Sequence, residues 1–554
     1  MHFNFIGLGI IFVFSSALAA PPDWSEGHLV PLGGQANPYQ LSPVEWVSSV
    51  YAGKLHAQIY PVEITGSLPP YKAIKSLIED QDKNIFRHWL SQFIQGVSKI
   101  KSFDDVEKTL GLHPYPLETD QGVYAVPYPN GARPQSRLGM GLIERHGAEG
   151  FTFSCAACHS SRLFGKTVLG MTNRFPRANE FFVQAKRGIS VMPPGLFQQF
   201  SHATAAETAL YEETRKNIRY VRMKLPLTLG LDTSLAQVAL SLGQRQNSPW
   251  AEKISVPAFA KPRDWLENNP ADSKPAVWWN LKYKNRWLSD GSVLSGNPIV
   301  TNILWNEIGR GVDLQDLSIW LQRNAQVIQE LATAAFSSEA PRLTDFFPAE
   351  MIDLEKAKAG EKVFKNTCAH CHGHYEKNWS LLPDEAPLLE KLKTSKVLYP
   401  QKTRVIDVGT DPYRRQGMHS LERLNNLQIS KDYGITVKAQ KGYVPPPLVG
   451  IWARWPYFHN NSAPTLCDVL SATPLRAQIY WARPADQPHE DFDPSCNGYP
   501  KNLSEDKKLP QYKFDTNRKG LGNQGHDEGI FLKQGKEILS SEDKENLIQF
   551  LQTL

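Results

Sequence analysis

Apolar positions return every three or four residues at the end of the chain, where Leu547, Phe550, Leu551 and Leu554 fall on one face of a predicted terminal helix. Ser540, with Asp543 three positions on, makes a capping box at its start. Helix-forming patterns also mark DLEKAKAGEKVFKNTCAHCHG (353–373), AETALYEETRKNIRYVRMKL (206–225), LQDLSIWLQRNAQVIQELATAAF (314–336) and much of 69–100. At the other end the apolar run Phe5 to Phe14 is unbroken by charge and leads into Ala17-Leu18-Ala19. That layout predicts a cleavable export leader over 1–19, too short for the roughly 20 residues that span a bilayer. Its weak feature is an n-region without Lys or Arg.

Forty prolines interrupt these patterns, so the expected fold is mainly α with extensive irregular loops. A length of 554 residues exceeds one ordinary core and predicts at least two domains. A net charge of +5 is mild and its cations are intermixed with acids, so no nucleic-acid stripe is indicated. No stretch after the leader reaches the roughly 18 apolar residues of a stable membrane span.

Six cysteines change the picture, because four of them stand in two C-x-x-C-H boxes: Cys155, Cys158, His159 and Cys368, Cys371, His372. Two thiols at this spacing can add to the two vinyl groups of one haem, and the histidine that follows then lies under the iron. The boxes therefore predict two covalently bound haem c groups, with His159 and His372 as iron ligands. A zinc site built from two C-x-x-C knuckles and a pair of redox dithiols are the rival readings, and both leave the repeated histidine unexplained. Cys467 and Cys496 remain, and in an exported chain they predict a disulfide worth ~3–4 kcal/mol through loop closure.

Ligand supply differs between the boxes. Residues 160–346 hold one histidine, His202, with Met171, Met192 and Met223, whereas His374, Met418, His419, His459, His489 and His526 follow His372. A six-coordinate haem transfers electrons, and one with a vacant position takes O2 or peroxide. The first haem is thus expected to be open and reactive, unless His28, His56, His88, His113 or His146 folds back onto it. For the second iron His526, in a glycine-rich stretch, is the preferred further ligand, with His459 or Met418 and its neighbour His419 as alternatives. Trp278, Trp279, Trp287 and Tyr283 either line the distal side of the first haem, relay electrons or fill a core. Glu307 and Asp290 are candidate acid–base groups for O–O cleavage.

Helix, box, ligand-bearing loops and terminal helix resemble the c-type cytochrome fold, whose first and last helices cross; Gly360 would permit that approach. The segments PPPLVGIWARWPYFHNNSAPTLCDVL, VGTDPYRRQGM and NQGHDEGIFL, with two widely spaced boxes, resemble the dihaem cytochromes related to rubber oxygenase, kin to bacterial dihaem cytochrome c peroxidases. The resemblance covers about 120–554. It implies two c-type-cytochrome-like haem domains (131–346, reactive; 347–554), preceded by an extension (20–130) packed on the first. It also implies O2 or H2O2 as a reactant of a haem oxidoreductase, with an organic substrate or a redox partner protein; the leader makes a periplasmic or secreted location the expectation. In those oxygenases a phenylalanine stands over the reactive haem, whereas the Trp-rich segment 276–298 contains none. A non-catalytic dihaem electron-transfer cytochrome is the alternative.

Overall fold

The computed structural model describes residues 21–79, 101–254 and 263–554; the expected leader, His88 and part of the helical stretch 69–100 lie outside them. Among the described residues helices carry most of the regular structure, and the strands form two-stranded antiparallel ribbons. None of these helices is long and apolar enough to cross a membrane.

The terminal helix, Ser541–Leu551, starts at the expected box: Ser540 Oγ accepts the Asp543 N–H at 3.0 Å, and the Asp543 carboxylate accepts the Ser540 N–H at 3.0 Å. Its buried face presents Leu547, Phe550 and Leu551 to the box helix, Leu354–Thr367. Gly360 lets the two backbones touch there, and the Phe364 and Phe550 rings meet beside the crossing at 5.1 Å.

Two expected helices come out shorter. The stretch 314–336 divides into Leu314–Arg323 and Ala325–Ser337 at Asn324, which leaves helical geometry (φ −113°, ψ 31°) while its amide donates to the Trp320 carbonyl. The stretch 206–225 is helical as Ala205–Ile218 only. Beyond it Lys224 reaches across to the carbonyls of Leu266 and Asn269. The Trp-rich segment forms a 3-10 helix, Trp278–Tyr283, and a short strand, Val293–Ser295, before the cavity helix, Pro298–Ile308.

Two large hydrophobic cores result, and each draws on both sides of position 346, where the sequence suggests a parting of domains. Met418, Leu421 and Val437 join the first core, and Leu163, Val168, Met171 and Trp279 join the second. The extension contributes the helix Pro43–Ile59, whose Gly53 lies against the Glu330 carbonyl and whose His56 bonds the Glu330 side chain at 2.8 Å. Cys467 and Cys496 are joined, with Cα atoms 5.1 Å apart.

Candidate functional site

The second box grows out of a helix. Thr367 ends the box helix, the short helix Ala369–His372 follows, and Gly373 turns the chain away at φ +82°. The first box sits instead between two hairpins, Met140–Arg145 with Ala148–Phe153 and Ser160–Leu163 with Lys166–Leu169. The expectation of a mainly helical setting therefore fails at this box. The 3-10 turn Cys155–Ala157 alone is helical there, and it carries His159 round to face the interior.

The two histidines are nevertheless held alike. His159 Nδ1 is 2.8 Å from the Ala276 carbonyl oxygen, and His372 Nδ1 is 2.8 Å from that of Pro446. A carbonyl can only accept, so both rings carry their proton on Nδ1 and keep Nε2 as a lone-pair donor. Both rings line one cavity of about 540 Å³, together with all four box cysteines, none of which is disulfide-bonded. A zinc knuckle would need several such donors to converge, and among the described residues no three His, Cys, Asp or Glu side chains group to hold a metal ion.

Of the histidines weighed as further ligands, His459 and His526 reach this cavity. His526 is close enough to His372 for their charges to interact: burial first, and then His372, push it down to about 3. Phe458 stacks on its ring at 5.4 Å. Gly525 beside it (φ +106°) lies close against Thr410, which a Cβ there would meet at 2.7 Å. His459 stacks on Tyr443 at 4.1 Å, and its Nε2 is enclosed by protein without a partner. Met418 is fully buried in the first core, and His419 is exposed beside Glu422. His28, His56, His113, His146 and His202 line no part of the cavity.

The aromatic and acidic candidates divide as well. Trp278 lies on the side of His159 itself, with ring centroids 5.7 Å apart, rather than opposite it. Trp287 also lines the cavity, while Trp279 and Tyr283 belong to the second core. The phenylalanines near the first box are Phe153 and Phe182, from a hairpin and a helix outside the Trp-rich segment. Glu307 is completely buried and accepts from Tyr60 Oη (2.5 Å), Thr65 Oγ1 (2.9 Å), Gly66 N (3.2 Å) and Arg310 (3.3 Å). Asp290 is paired with Arg414 at 3.2 Å. Neither carboxylate lines the cavity.

Sequence reasoning missed the carbonyls of Ala276 and Pro446, because any residue supplies one; the proline run before Val449 was the available signal for the second. It also missed Tyr60, whose ring brings the extension into the cavity wall, and the basic side chains Lys274, Lys284 and Arg454. Free thiols at haem-attachment spacing, histidines with Nε2 bare, and a shared cavity all fit covalent haem.

The stretch 442–482 matches the family model described as RoxA-like, cytochrome c-like. It supplies one wall of the cavity, including Tyr443, Pro446, Arg454 and His459. The uncharacterized protein y4iJ of Sinorhizobium fredii is 33% identical to this chain over 477 residues, covering 72% of this chain and 76% of its own length. A second uncharacterized protein of that organism, y4iM, is 28% identical over 22% of this chain and 29% of its own length.

Proposed function

We propose, for a chain that belongs to the same family as the uncharacterized protein y4iJ of Sinorhizobium fredii, the function of an exported dihaem c-type oxidoreductase. One observation carries this reading: both C-x-x-C-H boxes open on one cavity, with Nδ1 of each histidine tied to a backbone carbonyl. Cys155, Cys158 and His159 would hold one haem, and Cys368, Cys371 and His372 the other. When bound, such haems supply one-electron redox chemistry and, at an iron with a vacant position, a binding place for O2 or peroxide.

The chain's own groups then have distinct tasks. The carbonyls of Ala276 and Pro446 keep the imidazole protons on Nδ1, which fixes ring orientation and raises the basicity of Nε2. His526, which lines the same cavity and feels the charge of His372, would serve the second site as its further ligand. Around the first box Phe153, Phe182, Leu235 and Val238 give the cavity an apolar wall that excludes water. This supports a reactive first site that takes O2 or H2O2 with an organic substrate or redox partner, and a second site that passes electrons. A periplasmic or secreted location follows from the leader read at 1–19.

Absorption spectroscopy and intact mass of the purified protein test the cofactor reading. Two covalent haems per chain are expected, and absence of a Soret band overturns it. EPR of the oxidised protein tests the division of labour. A high-spin ferric signal is expected beside a low-spin one; two low-spin signals with no azide or cyanide binding assign a non-catalytic electron-transfer cytochrome instead. Consumption of O2 with an unsaturated substrate, or of H2O2 with a reduced dye, then separates oxygenase from peroxidase.

A further inference from the structure

Five basic side chains line the cavity: Arg310 and Arg414 are paired with Glu307 and Asp290, whereas Lys274, Lys284 and Arg454 have no carboxylate partner among the described residues. Lys274 stands two residues before Ala276, whose carbonyl holds His159; its Nζ donates to the carbonyls of Arg454 (3.2 Å) and Pro456 (2.6 Å). Arg454 donates to the Pro447 carbonyl at 3.0 Å, next to the Pro446 carbonyl that holds His372, and the rest of its guanidinium is uncommitted. Lys284 is buried to within 9% of full enclosure. The acid that acts on it, Asp290, is already taken by Arg414.

These groups repel one another. Burial first, and then Arg454, push Lys274 well below the usual lysine range and Lys284 down to about 8. Burial pushes Arg454 itself down to about 10. Arg174, stacked on Trp455 at 4.1 Å, adds a further positive charge behind Lys274. Gathering like charges in an enclosed space is costly unless an anion completes the set. The nearby carbonyls supply acceptors but no negative charge, so a ligand that completed the set would be anionic.

We propose that Lys274, Lys284 and Arg454 form a carboxylate-binding cluster that receives the acid side chains of the tetrapyrroles seated in this cavity, an assignment that rests on the dihaem reading above. Thioether bonds to the box cysteines would hold each macrocycle by its vinyl substituents, which leaves its carboxylates free to meet other groups. A cluster standing between Ala276 and Pro446 is placed to meet carboxylates from both. It would thereby neutralise carboxylate charge within the shared cavity and tune the redox potentials of the groups bound there. Carboxylates prefer such charge-assisted, multi-donor contacts over water.

The test uses the holoprotein with Lys284→Gln, Arg454→Gln and the charge-retaining Lys284→Arg. Spectroelectrochemical titration reads the midpoint potentials, and resonance Raman reads the propionate bands. Removing one cation favours the oxidised iron, so each Gln variant is expected to lower at least one potential by roughly the equivalent of a tenfold change in the oxidised-to-reduced ratio, about 59 mV for a one-electron couple. Propionate bands shift in parallel, and Lys284→Arg restores both. A free carboxylate is the other source, and acetate at constant ionic strength probes it. An acetate-induced spectral change that the Gln variants abolish, with unmoved propionate bands, overturns the tetrapyrrole assignment. If neither potentials, bands nor acetate response change, the cluster is no carboxylate site. A wild-type protein without a Soret band overturns the dihaem reading separately, and calorimetric titration with acetate still decides the cluster.

Discussion

The backbone oxygen of Asn546 lies 2.0 Å from where a Cβ on Gly360 would stand, so the box helix and the terminal helix cross with their backbones in contact. Any side chain at 360 must push the terminal helix away, and with it the contact between Phe364 and Phe550. Gly360→Ala is expected to destabilise the protein by ~1–3 kcal/mol, since the obstacle is backbone that cannot rotate aside. A urea denaturation midpoint checks this. An unchanged midpoint would show that the crossing tolerates separation.

The two cavity histidines considered for the second iron give opposite expectations. His526→Ala is expected to convert the low-spin spectrum of the second haem to high-spin, whereas His459→Ala leaves it unchanged. The difference rests on neighbourhood, because the charge of His372 reaches His526, whereas the charges that reach His459, stacked on Tyr443, are those of Arg414 and Lys274. Magnetic circular dichroism of both variants checks the pair. The reverse pattern would transfer the assignment to His459.

Glu307 anchors the extension to the cavity helix through Tyr60, Thr65, Gly66 and Arg310. Arg310→Met removes the partner of a carboxylate that is wholly buried, and a loss of ~3–5 kcal/mol is expected. Tyr60→Phe takes away a single donor and is expected to cost ~1–3 kcal/mol. Thermal unfolding followed by circular dichroism should rank the two in that order.

Glu107 supplies a pH dependence remote from the cavity. Burial is the main cause that lifts its carboxyl from 4.5 to about 7, and one of its oxygens has no hydrogen-bond partner. Between those values the folded state holds a proton that the unfolded state has lost, so stability falls as pH rises from about 4.5 to 7 and is level above. The full span corresponds to about 3 kcal/mol. In Glu107→Gln this slope is expected to vanish, and the variant should gain on the wild type at pH 8 but not at pH 4. Melting temperatures of both proteins across that range provide the check.

Local features were legible where neighbours in sequence do the work. Ser540 with Asp543, the terminal apolar face, the helix ending at Thr367 and the crossing at Gly360 all stand as read. So does the Cys467–Cys496 bond, which needed only two thiols left over. Less was legible where distant segments decide. Asn324 breaks one pattern into two helices, and the first box lies among hairpins because residues 140–169 pair with one another as two antiparallel ribbons. Tyr60 enters the cavity from 95 positions before Cys155, and no periodicity in the extension announces it.

The sequence by itself determined the chemistry on offer: two pairs of thiols, each followed by a histidine, at a spacing that only local covalent geometry constrains. The tertiary structure alone decided that both boxes share one cavity, that Ala276 and Pro446 hold their rings, and that Lys274, Lys284 and Arg454 meet there without an anion. Those relations join residues as far apart as 117 positions for His159 and Ala276 and 74 for His372 and Pro446, and they are set by burial and charge across the packed interior, which spacing along the chain does not encode.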